Sequence, residues 1–475
     1  MQKFIAKTLF CLVIIQTQAQ TNKLSNNDIV KDKIVYLLNQ GDYRGVYNLA
    51  ASNFKKNISE DQIINLLQGT ADFGDILKTE ILSTNKGGVS KYRLVYEKKS
   101  LHLEMKATKK LTFEVFGLSF YTLPIVPTRK VFLNDNMMKT KLDSSVQRAI
   151  TAYMSNENVS GLSVGIIQNG NMFTYNFGET KKGSKQLPTC ETIYEIGSIT
   201  KTFTGIILAN NVLEGRLNLS DDIRMYLDGD FPNLEYNGKP IQLVHLSNHT
   251  SRLLSQPKIV GTRKDPFDPS QLFSEKILSD ILHNIKIDTI PGHKIEYSNF
   301  AVSLLGYILE KVNNLTYEEL LNKYIFVPTK MTHSKISFST NDFLKYAQGY
   351  TLGGDTTGYW RNKLAEPAGG IRATSKDMLL YISAQLEAKK GSPYWLSHQL
   401  TAGTNLRGKG LNWGISTTKK GYLLLSHDGG TSGFSSLCLI YPELKSGIIL
   451  LTNNGNHNDE SFYDIGKLIY SDWVK

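Results

Sequence analysis

The region that follows the amino terminus changes from helical to strand-like spacing of apolar residues. Helical spacing predicts helices near Asp28–Leu38 and Tyr43–Ala51, and the Ser59–Gln62 capping box starts a third helix that ends before Gly69. Four alternating segments follow, DILKTEIL, KYRLVYE, SLHLEMKAT and KLTFEVFGLSF. Alternation with a period of two is typical of half-buried strands. We therefore expect residues 22–125 to form a small α+β domain, with helices covering an antiparallel meander.

Residues 142–475 show a different pattern, which predicts one larger α/β domain. A helix near Asp143–Met154 precedes two strand patterns, and three more strand patterns come shortly before a final helix. The five are GLSVGII, MFTYNFG, GYLLLSH, FSSLCLIYPE and SGIILLTNN. Residues 199–400 between them are mostly helical and rich in turns. Because strands from both ends would share one sheet around this insert, the region should not divide further. The stretch YTLPIVPTRKVFLNDNMMKTK has two prolines and no clear period, and residues 126–141 within it are expected to be a linker.

The first residues have the pattern of a signal peptide. Lys3 and Lys7 precede the apolar run Thr8–Ile15, and Thr17-Gln18-Ala19 is a small-x-small site suited to cleavage. No later segment approaches the length of a transmembrane helix. We expect residues 1–19 to be removed and the protein to be exported to the periplasm or secreted by a bacterium, without a stable membrane span. An uncleaved amino-terminal anchor is the alternative.

Composition and charge narrow the class of partner. The chain has 475 residues, of which 41% are apolar and 10% aromatic, enough for more than one core. Removing residues 1–19, which hold two lysines and no acidic residue, lowers the formal charge from +11 to +9. The remaining basic residues are scattered among acids without aromatic interleaving, which argues against a nucleic-acid partner. Cys190 and Cys438 would then be the cysteines left, either paired in an oxidising compartment or buried as free thiols.

A Ser-x-x-Lys spacing is the first candidate for chemistry. It occurs five times, starting at Ser52, Ser83, Ser198, Ser255 and Ser416, so the spacing alone decides nothing. Ser198 differs because it opens the helical pattern ITKTFTGIILANNVLEG, and the amides of a helix N-terminus favour negative charge on a nucleophile. Lys201 lies one turn on, and a lysine in a dry pocket becomes a neutral base. A capping serine with a snorkelling lysine is the alternative.

Tyr297-Ser298-Asn299 is a second candidate and the single Tyr-x-Asn of the chain. It follows a Pro-Gly turn and precedes the helical pattern FAVSLLGYILEKV, so both side chains can project into a cleft. The phenol could relay a proton, and the amide of Asn299 could orient Lys201 and the carbonyl or amide of a substrate. The alternative is a tyrosine packed on the next helix beside a capping asparagine.

His427-Asp428-Gly429-Gly430 is the third candidate and the single His-x-Gly among nine histidines. Glycines at the end of a strand let the backbone approach a bound carbonyl group. The amides of Gly430 and Ser198 would together form an oxyanion hole. An ordinary glycine-rich hairpin turn is the alternative for this motif.

The order of these motifs resembles that of the penicillin-recognising serine hydrolases, specifically the class C β-lactamase-like group. The flanking stretches YEIGSITKTFTG, LVHLSNHTSRL, EPAGGIRATSKDM and SHDGGTSGFSS are similar to that family as well, and the resemblance covers nearly all of residues 140–475. It implies an α/β fold of the β-lactamase/transpeptidase type: an antiparallel five-stranded sheet flanked by helices, plus a helical subdomain. Residues 22–125 resemble small cystatin-like or NTF2-like modules.

The resemblance also implies roles for individual residues. Ser198 would be the acylated nucleophile, and Lys201 and Tyr297 would share the acid and base roles. The residues that would bind the substrate are Asn299, His427, Gly429 and Gly430. The family needs no metal or organic cofactor, and water resolves its acyl-enzyme.

Two positions, His427 and Arg252, depart from the class C pattern. His427 stands where those enzymes have the lysine of Lys-Thr-Gly, and with an ordinary pKa of about 6.5 it would offer only a fractional charge near neutrality. The Lys-Ser-Gly at Lys445–Gly447 lies in a turn and is interpreted as a decoy. Arg252 replaces a glycine that is usual in the family, and would either select an anionic substrate group or point into solvent.

We therefore expect a secreted serine hydrolase that cleaves small amides or esters, of the D-amino-acid peptidase or carboxylesterase type. Its substrate would be a small molecule or peptide, with cell-wall fragments as one candidate class. A class C-like β-lactamase is one alternative, and a penicillin-binding or cell-wall-sensing protein that acylates and stalls is another. Specificity is expected in the loops SQPKIVGTRKDPFDPS and GYTLGGDTTGYWRNK.

Overall fold

A computed structural model of the chain shows two compact units. The first ends at Ser119, and the second runs from Phe120 onward. The structure describes residues 25–70, 73–96, 100–120, 132–156, 158–255, 275–338, 340–351, 353–360, 362–455 and 460–473. The predicted signal peptide, residues 126–131 of the predicted linker, and all but Ser255 of the first specificity loop lie outside these residues.

The first unit is an α+β structure, as its sequence pattern predicts. Its helices are α1 (Asn26–Asn39), α2 (Tyr43–Asn48), α3 (Ser52–Lys55) and α4 (Glu60–Gln68). Its strands are β1 (Ile76–Thr84), β2 (Ser90–Tyr96), β3 (Ser100–Ala107) and β4 (Phe113–Phe120), and they form one sheet in the sequential order of a meander. The predicted capping box forms at the start of α4: Ser59 and Gln62 each satisfy the other's backbone N–H. On α1, the buried Val30, Ile34 and Leu38 recur every four residues along one face.

The second unit contains the remaining elements. Its helices are α5 (Lys141–Met154), α6 (Thr200–Leu213), α7 (Leu243–Ser247), α8 (Glu275–Asn284), α9 (Asn299–Asn313), α10 (Tyr317–Leu321), α11 (Val327–Thr329), α12 (Glu366–Gly369), α13 (Ser375–Leu386), α14 (Pro393–Ser397) and α15 (Glu460–Trp473), with a 3₁₀ turn at Gly197–Ile199. Its strands are β5 (Gly161–Gln168), β6 (Asn171–Gly178), β7 (Ile193–Glu195), β8 (Glu235–Tyr236), β9 (Lys239–Pro240), β10 (Arg372–Thr374), β11 (Ala402–Thr404), β12 (Arg407–Lys409), β13 (Gly414–Thr417), β14 (Leu423–Gly430), β15 (Ser435–Tyr441) and β16 (Ser446–Thr452). Within the described residues, no helix has the length and apolarity needed to cross a bilayer.

One antiparallel sheet organises the second unit. Its eight strands lie in the order β11-β12-β13-β14-β15-β16-β5-β6. The strands from the two ends of the unit meet where β16 pairs with β5, with Leu450 opposite Val164. The five predicted strands are therefore neighbours in one sheet flanked by helices, which confirms the predicted fold class. The short strands β11, β12 and β13 extend one edge beyond that expectation.

Helices cover the sheet on both faces. On one face, a Cβ placed on Gly165 of β5 would lie 3.0 Å from Leu379 Cγ of α13. The rings of Phe203 on α6 and Tyr381 on α13 stack with centroids 3.9 Å apart, which places α6 on this side. On the other face, Tyr153 of α5 and Phe462 of α15 pack edge to face. The main core therefore lies between the sheet and the layer of helices that contains α6 and α13.

The residues just before α5 pair with β6. The carboxylate of Asp135 accepts hydrogen bonds from the backbone N–H (2.8 Å) and the side-chain amide (2.7 Å) of Asn176. Gly178 N–H donates to Leu133 O at 2.8 Å. Thr140 then caps α5 through the N–H of Asp143. The last part of the predicted linker is thus structured as part of the second unit.

The two candidate disulfide partners remain apart. Cys190 and Cys438 are both free thiols, and Cys438 is buried on β15. Of the two alternatives that the sequence leaves open, the structure shows free thiols.

Candidate active site

Ser198 lies on a tight turn at the amino end of α6. The 3₁₀ turn that contains it connects β7 to α6, and Ser198 is half-buried. Gly197 has φ +48°, a left-handed conformation that favours glycine. Hydrogen bonds of Ile196 fix the turn: its N–H donates to Ile371 O at 3.1 Å, and its carbonyl accepts from Ser436 Oγ at 2.8 Å. The Ser198 hydroxyl therefore stands at a helix N-terminus on backbone that is held from two sides.

Lys201 is completely buried beside the nucleophile. Its Nζ lies 2.8 Å from Ser198 Oγ and 2.5 Å from the carbonyl oxygen of Ala368. Burial lowers the pKa of Lys201 well below its ordinary value of 10.5; the negative charge of Asp428 raises it, and the positive charge of Lys409 lowers it further. A neutral amine can donate one N–H to Ala368 and direct its lone pair at the serine O–H. Lys201 is thus arranged as a base toward Ser198.

Tyr297 completes a chain of contacts through Ser198. Its hydroxyl lies 2.7 Å from Ser198 Oγ, and its ring centroid is 5.0 Å from Lys201 Nζ. The residue is 40% exposed, so part of the ring borders solvent, while the protein around its hydroxyl raises the pKa of the phenol. At neutral pH the phenol therefore keeps its proton. It can donate or relay a proton, but it is not a phenolate base.

The ring of His249 packs against the ring of Tyr297. The histidine is fully buried, and its ring lies 4.5 Å from the Tyr297 ring, centroid to centroid. Its Nδ1 accepts from the N–H of Ser298 at 3.4 Å, so the proton is on Nε2. That Nε2 is buried and has no hydrogen-bond partner in the described part of the chain. Burial lowers the pKa of His249 well below 6.5, which keeps the ring neutral.

His427, within β14, is neutral. Its Nδ1 lies 2.7 Å from the carbonyl oxygen of Asp428, which assigns the proton to Nδ1 and leaves a lone pair on Nε2. Among the described residues this buried Nε2 has no partner. Burial lowers the pKa of His427 to about 3, and the positive charge of Lys409 acts in the same direction. The expected fractional charge near neutrality is therefore wrong, because the ordinary pKa of histidine does not apply in this pocket.

The glycines after His427 let β14 contact the nucleophile turn directly. A Cβ on Gly429 would lie 2.1 Å from Ile196 O and 2.9 Å from Ser198 N, and a Cβ on Gly197 would lie 2.5 Å from Gly430 N. Both approaches are closer than any side chain allows. The backbone amides of Ser198 and Gly430 therefore belong to two segments in contact, the placement that an oxyanion hole requires.

Asn299 does not make the predicted contact with Lys201. It is the half-buried first residue of α9 and follows the N-cap Ser298. In the described structure, the partner that accepts from Lys201 is the Ala368 carbonyl, and no hydrogen bond joins Lys201 to the Asn299 amide.

Arg252 neither presents a free cation to an anionic substrate group nor points into solvent, the two roles that its sequence position suggests. Its guanidinium forms ion pairs with Asp288 (2.8 Å) and Glu296 (2.5 Å), and its side chain is only 8% exposed. It is therefore neither a free cation for substrates nor a solvated side chain. Lys445 lies in the exposed turn between β15 and β16, with φ +46°, which agrees with its interpretation as a decoy.

Three contributors to the site were missed in the sequence. His249 and the Ala368 carbonyl lie in LVHLSNHTSRL and EPAGGIRATSKDM, stretches whose similarity to the family was visible without a role being assigned. Lys409 lies on β12, outside any motif, and its positive charge lowers the pKa values of Lys201, His249 and His427. Only the pairing of β12 with β13 brings it near these groups.

Comparisons with known proteins agree with this geometry. A family model described as beta-lactamase matches residues 146–468. A beta-lactamase of Escherichia coli (strain K12) is 25% identical over 359 residues, covering 67% of this chain and 90% of that protein. Protein flp of Staphylococcus aureus (strain N315) is 28% identical over 330 residues, covering 66% of this chain and 64% of that protein.

Solved structures show the same fold. A class C beta-lactamase superposes with a TM-score of 0.62 at 23% identity, covering 71% of this chain and 98% of that one. A beta-lactamase/D-alanine carboxypeptidase from Pseudomonas syringae superposes with a TM-score of 0.60 at 22% identity, covering 70% and 99%. The family match spans more than half of the chain and contains Ser198, Lys201 and Tyr297. The chain belongs to the beta-lactamase family of serine hydrolases.

Proposed function

We propose that the protein hydrolyses small amides or esters through an acyl-enzyme on Ser198. The observation that carries this proposal is the contact chain Lys201–Ser198–Tyr297, with distances of 2.8 and 2.7 Å, in which burial favours a neutral amine. A nucleophile, a base and a proton donor within hydrogen-bond reach are the parts that acyl transfer needs.

Each step of the proposed reaction has a group in place. Lys201 takes the Ser198 proton while Oγ forms a bond to the substrate carbonyl carbon, and the amides of Ser198 and Gly430 hold the oxyanion. The carbon–nitrogen or carbon–oxygen bond then breaks as Tyr297 gives its proton to the leaving group and takes up the proton that Lys201 holds. Water attacks the ester of Ser198 with the same base, which releases the acid and restores the serine.

We favour a D-amino-acid peptidase or carboxylesterase over an efficient β-lactamase. His427 is neutral, so the third motif offers a nitrogen lone pair and no fixed cation for a carboxylate. Esters and amides that lack a carboxylate next to the scissile bond lose the least binding energy when a neutral histidine replaces the lysine of the third motif. The second candidate is a β-lactamase, favoured by the names of the Escherichia coli and Pseudomonas syringae relatives.

Export is also a proposal. The basic start, the apolar run and the small-x-small site of residues 1–19 support it. Amino-terminal sequencing of the mature protein should begin at Gln20, and a mature chain that retains Met1 would contradict removal.

The test compares the wild type with Ser198→Ala and with Ser416→Ala, which removes the serine of another Ser-x-x-Lys match in the same unit. Fluorophosphonate labelling by intact mass, p-nitrophenyl ester turnover and nitrocefin turnover are measured on all three. We expect labelling and ester turnover in the wild type and in Ser416→Ala, and neither in Ser198→Ala.

Other outcomes decide between the alternatives. Nitrocefin turnover much faster than ester turnover would favour the β-lactamase. A long-lived substrate adduct on Ser198 would indicate a protein that acylates and stalls. Full hydrolysis by Ser198→Ala would overturn the proposal.

A further inference from the structure

Arg252 adopts a conformation that arginine rarely adopts. Its φ is +66°, in the left-handed region where a Cβ is strained and glycine is favoured. A strained residue persists where surrounding contacts hold it, and such residues cluster at functional sites. The contacts of Arg252 therefore indicate what the strain supports.

All three guanidinium nitrogens of Arg252 donate hydrogen bonds to carboxylates. Nε and Nη2 donate to the two carboxylate oxygens of Asp288 at 2.9 and 2.8 Å, and Nη1 donates to Glu296 at 2.5 Å. The arginine side chain is 8% exposed, whereas the carboxylates are 66% and 55% exposed. Bidentate arginine–carboxylate pairs fix orientation as well as distance.

This pairing connects two loops that form the site. Glu296 directly precedes Tyr297, and Glu296 N–H donates to His249 O at 2.7 Å. His249 lies three residues before Arg252, and its ring supports the ring of Tyr297. Ser298 Oγ donates to Leu254 O at 2.6 Å, on the far side of the tyrosine. The residues on either side of Tyr297, Glu296 and Ser298, are thus hydrogen-bonded to residues 249 and 254, on either side of Arg252. The ion pair between Arg252 and Glu296 joins the same two segments.

We propose that Arg252 is a positioning residue for Tyr297: through Asp288 and Glu296 it holds the loop so that the phenol stays within hydrogen-bond distance of Ser198 Oγ. This inference rests on the proposed function, since its effect is on proton delivery by Tyr297. Arg252 does not touch the reacting atoms.

The test measures kcat and KM for two ester series, one with a p-nitrophenolate and one with an alkoxide leaving group. Arg252→Ala and Arg252→Gly both remove the ion pairs with Asp288 and Glu296, but only the glycine relieves the backbone strain at this position. Lys294→Ala is the matched control, since Lys294 is an exposed cation 3.4 Å from the same Glu296.

We expect Arg252→Ala and Arg252→Gly to lower kcat for the alkoxide series by at least roughly tenfold with little change in KM, because the poorer leaving group depends on its proton. The p-nitrophenyl series should fall less. Arg252→Lys should recover part of the loss, and Lys294→Ala should behave as the wild type.

A Tyr297→Phe background separates positioning from a general structural effect. If Arg252 acts through the phenol, Arg252→Ala should add almost no further loss in that background. Equal losses in both backgrounds, or wild-type kcat in a folded Arg252→Ala, would overturn the inference. Failure of the proposed function would instead appear in the wild type itself, as absence of Ser198 labelling and turnover, and would overturn both.

Discussion

At the scale of single residues, the charge state of Lys201 decides the chemistry. In the described part of the chain its hydrogen-bond partners are a hydroxyl and a carbonyl, neither of which carries a full negative charge. A buried ammonium without a carboxylate partner is unfavourable, so the amine gives up its proton. Activity should therefore appear as pH rises through the pKa of Lys201, which defines the acidic limb of the pH–activity profile. Charges near Lys201 should move this limb.

We predict that Lys409→Met and Asp428→Asn shift the acidic limb of the kcat/KM profile in opposite directions. The cation of Lys409 lowers the pKa of Lys201, so its removal should raise that pKa and move the limb to higher pH. The anion of Asp428 raises the same pKa, so its removal should move the limb to lower pH. The measurement is kcat/KM for a neutral p-nitrophenyl ester across the acidic and neutral pH range.

Lys419→Met is the control for this pair, because Lys419 is an exposed lysine in the turn before β14. Its profile should coincide with the wild type. Shifts of the same sign for Lys409→Met and Asp428→Asn would show that the limb does not report on Lys201.

The sequence could predict which residues form the site more readily than their charge states and ion-pair partners. Ser198, Lys201 and Tyr297 lie in motifs whose spacing is local, so the positions are readable and the structure brings them together. The neutrality of His427 depends on burial by residues far away in sequence. The ion pairs of Arg252 depend on Asp288 and Glu296, which follow 36 and 44 residues later. Neither property has a local signal.

At the scale of elements, long periodic segments were predictable and short ones were not. The five apolar runs became β5, β6, β14, β15 and β16, because each is long enough for its pattern to stand out. The strands β11, β12 and β13 have three, three and four residues, and they contain glycines and polar side chains. Strands of this kind form because a neighbouring strand offers an edge to pair with, β14 for β13, β13 for β12 and β12 for β11, which no local pattern can show.

The contact between β14 and the nucleophile turn gives a prediction at this scale. Gly429→Ala places a Cβ 2.1 Å from the backbone oxygen of Ile196, so β14 and the turn must separate. We expect fluorophosphonate labelling of Ser198 to slow by roughly a hundredfold, the effect typical of a lost oxyanion donor.

Gly421→Ala is the matched comparison on the hairpin that leads into β14. Gly421 has φ +88°, and a Cβ added there would meet no atom within 4 Å, so the change should cost about 1–2 kcal/mol of stability through strain but leave labelling intact. Wild-type labelling by Gly429→Ala would mean that the close approach does not support the site.

At the scale of the whole molecule, the second unit has the proportions of a complete protein. The matched part covers 98% of a class C beta-lactamase and 99% of the Pseudomonas syringae enzyme, each of which has that fold by itself. Its sheet needs strands from both ends, since β16 pairs with β5, so the unit can form only when its last strands are present. The sequence predicted this closure because the strand patterns cluster at the two ends.

The segment between the predicted linker and α5 sets where the second unit can be cut. A fragment that starts at Phe132 keeps the pairing of Asp135 with Asn176 and the Thr140 cap, and we expect it to label at the wild-type rate. A fragment that starts at Lys141 loses both. A cap is worth about 1 kcal/mol, and hydrogen bonds to a charged group about 1.5–3 kcal/mol. Since about 1 kcal/mol shifts Tm by roughly 2–4 °C at 150–250 residues and by less in a larger unit, the Tm should fall by roughly 3–10 °C.

Calorimetry on both fragments, with Asp135→Ala in the longer one, separates the two contributions. Asp135→Ala should account for the larger share of the loss, because its carboxylate satisfies the backbone N–H and the buried amide of Asn176 together. Equal Tm values for the two fragments would show that residues 132–140 are a tether and that the unit begins at α5. A fragment from Phe132 that neither folds nor labels would mean that the second unit needs the first, which its size relative to complete relatives argues against.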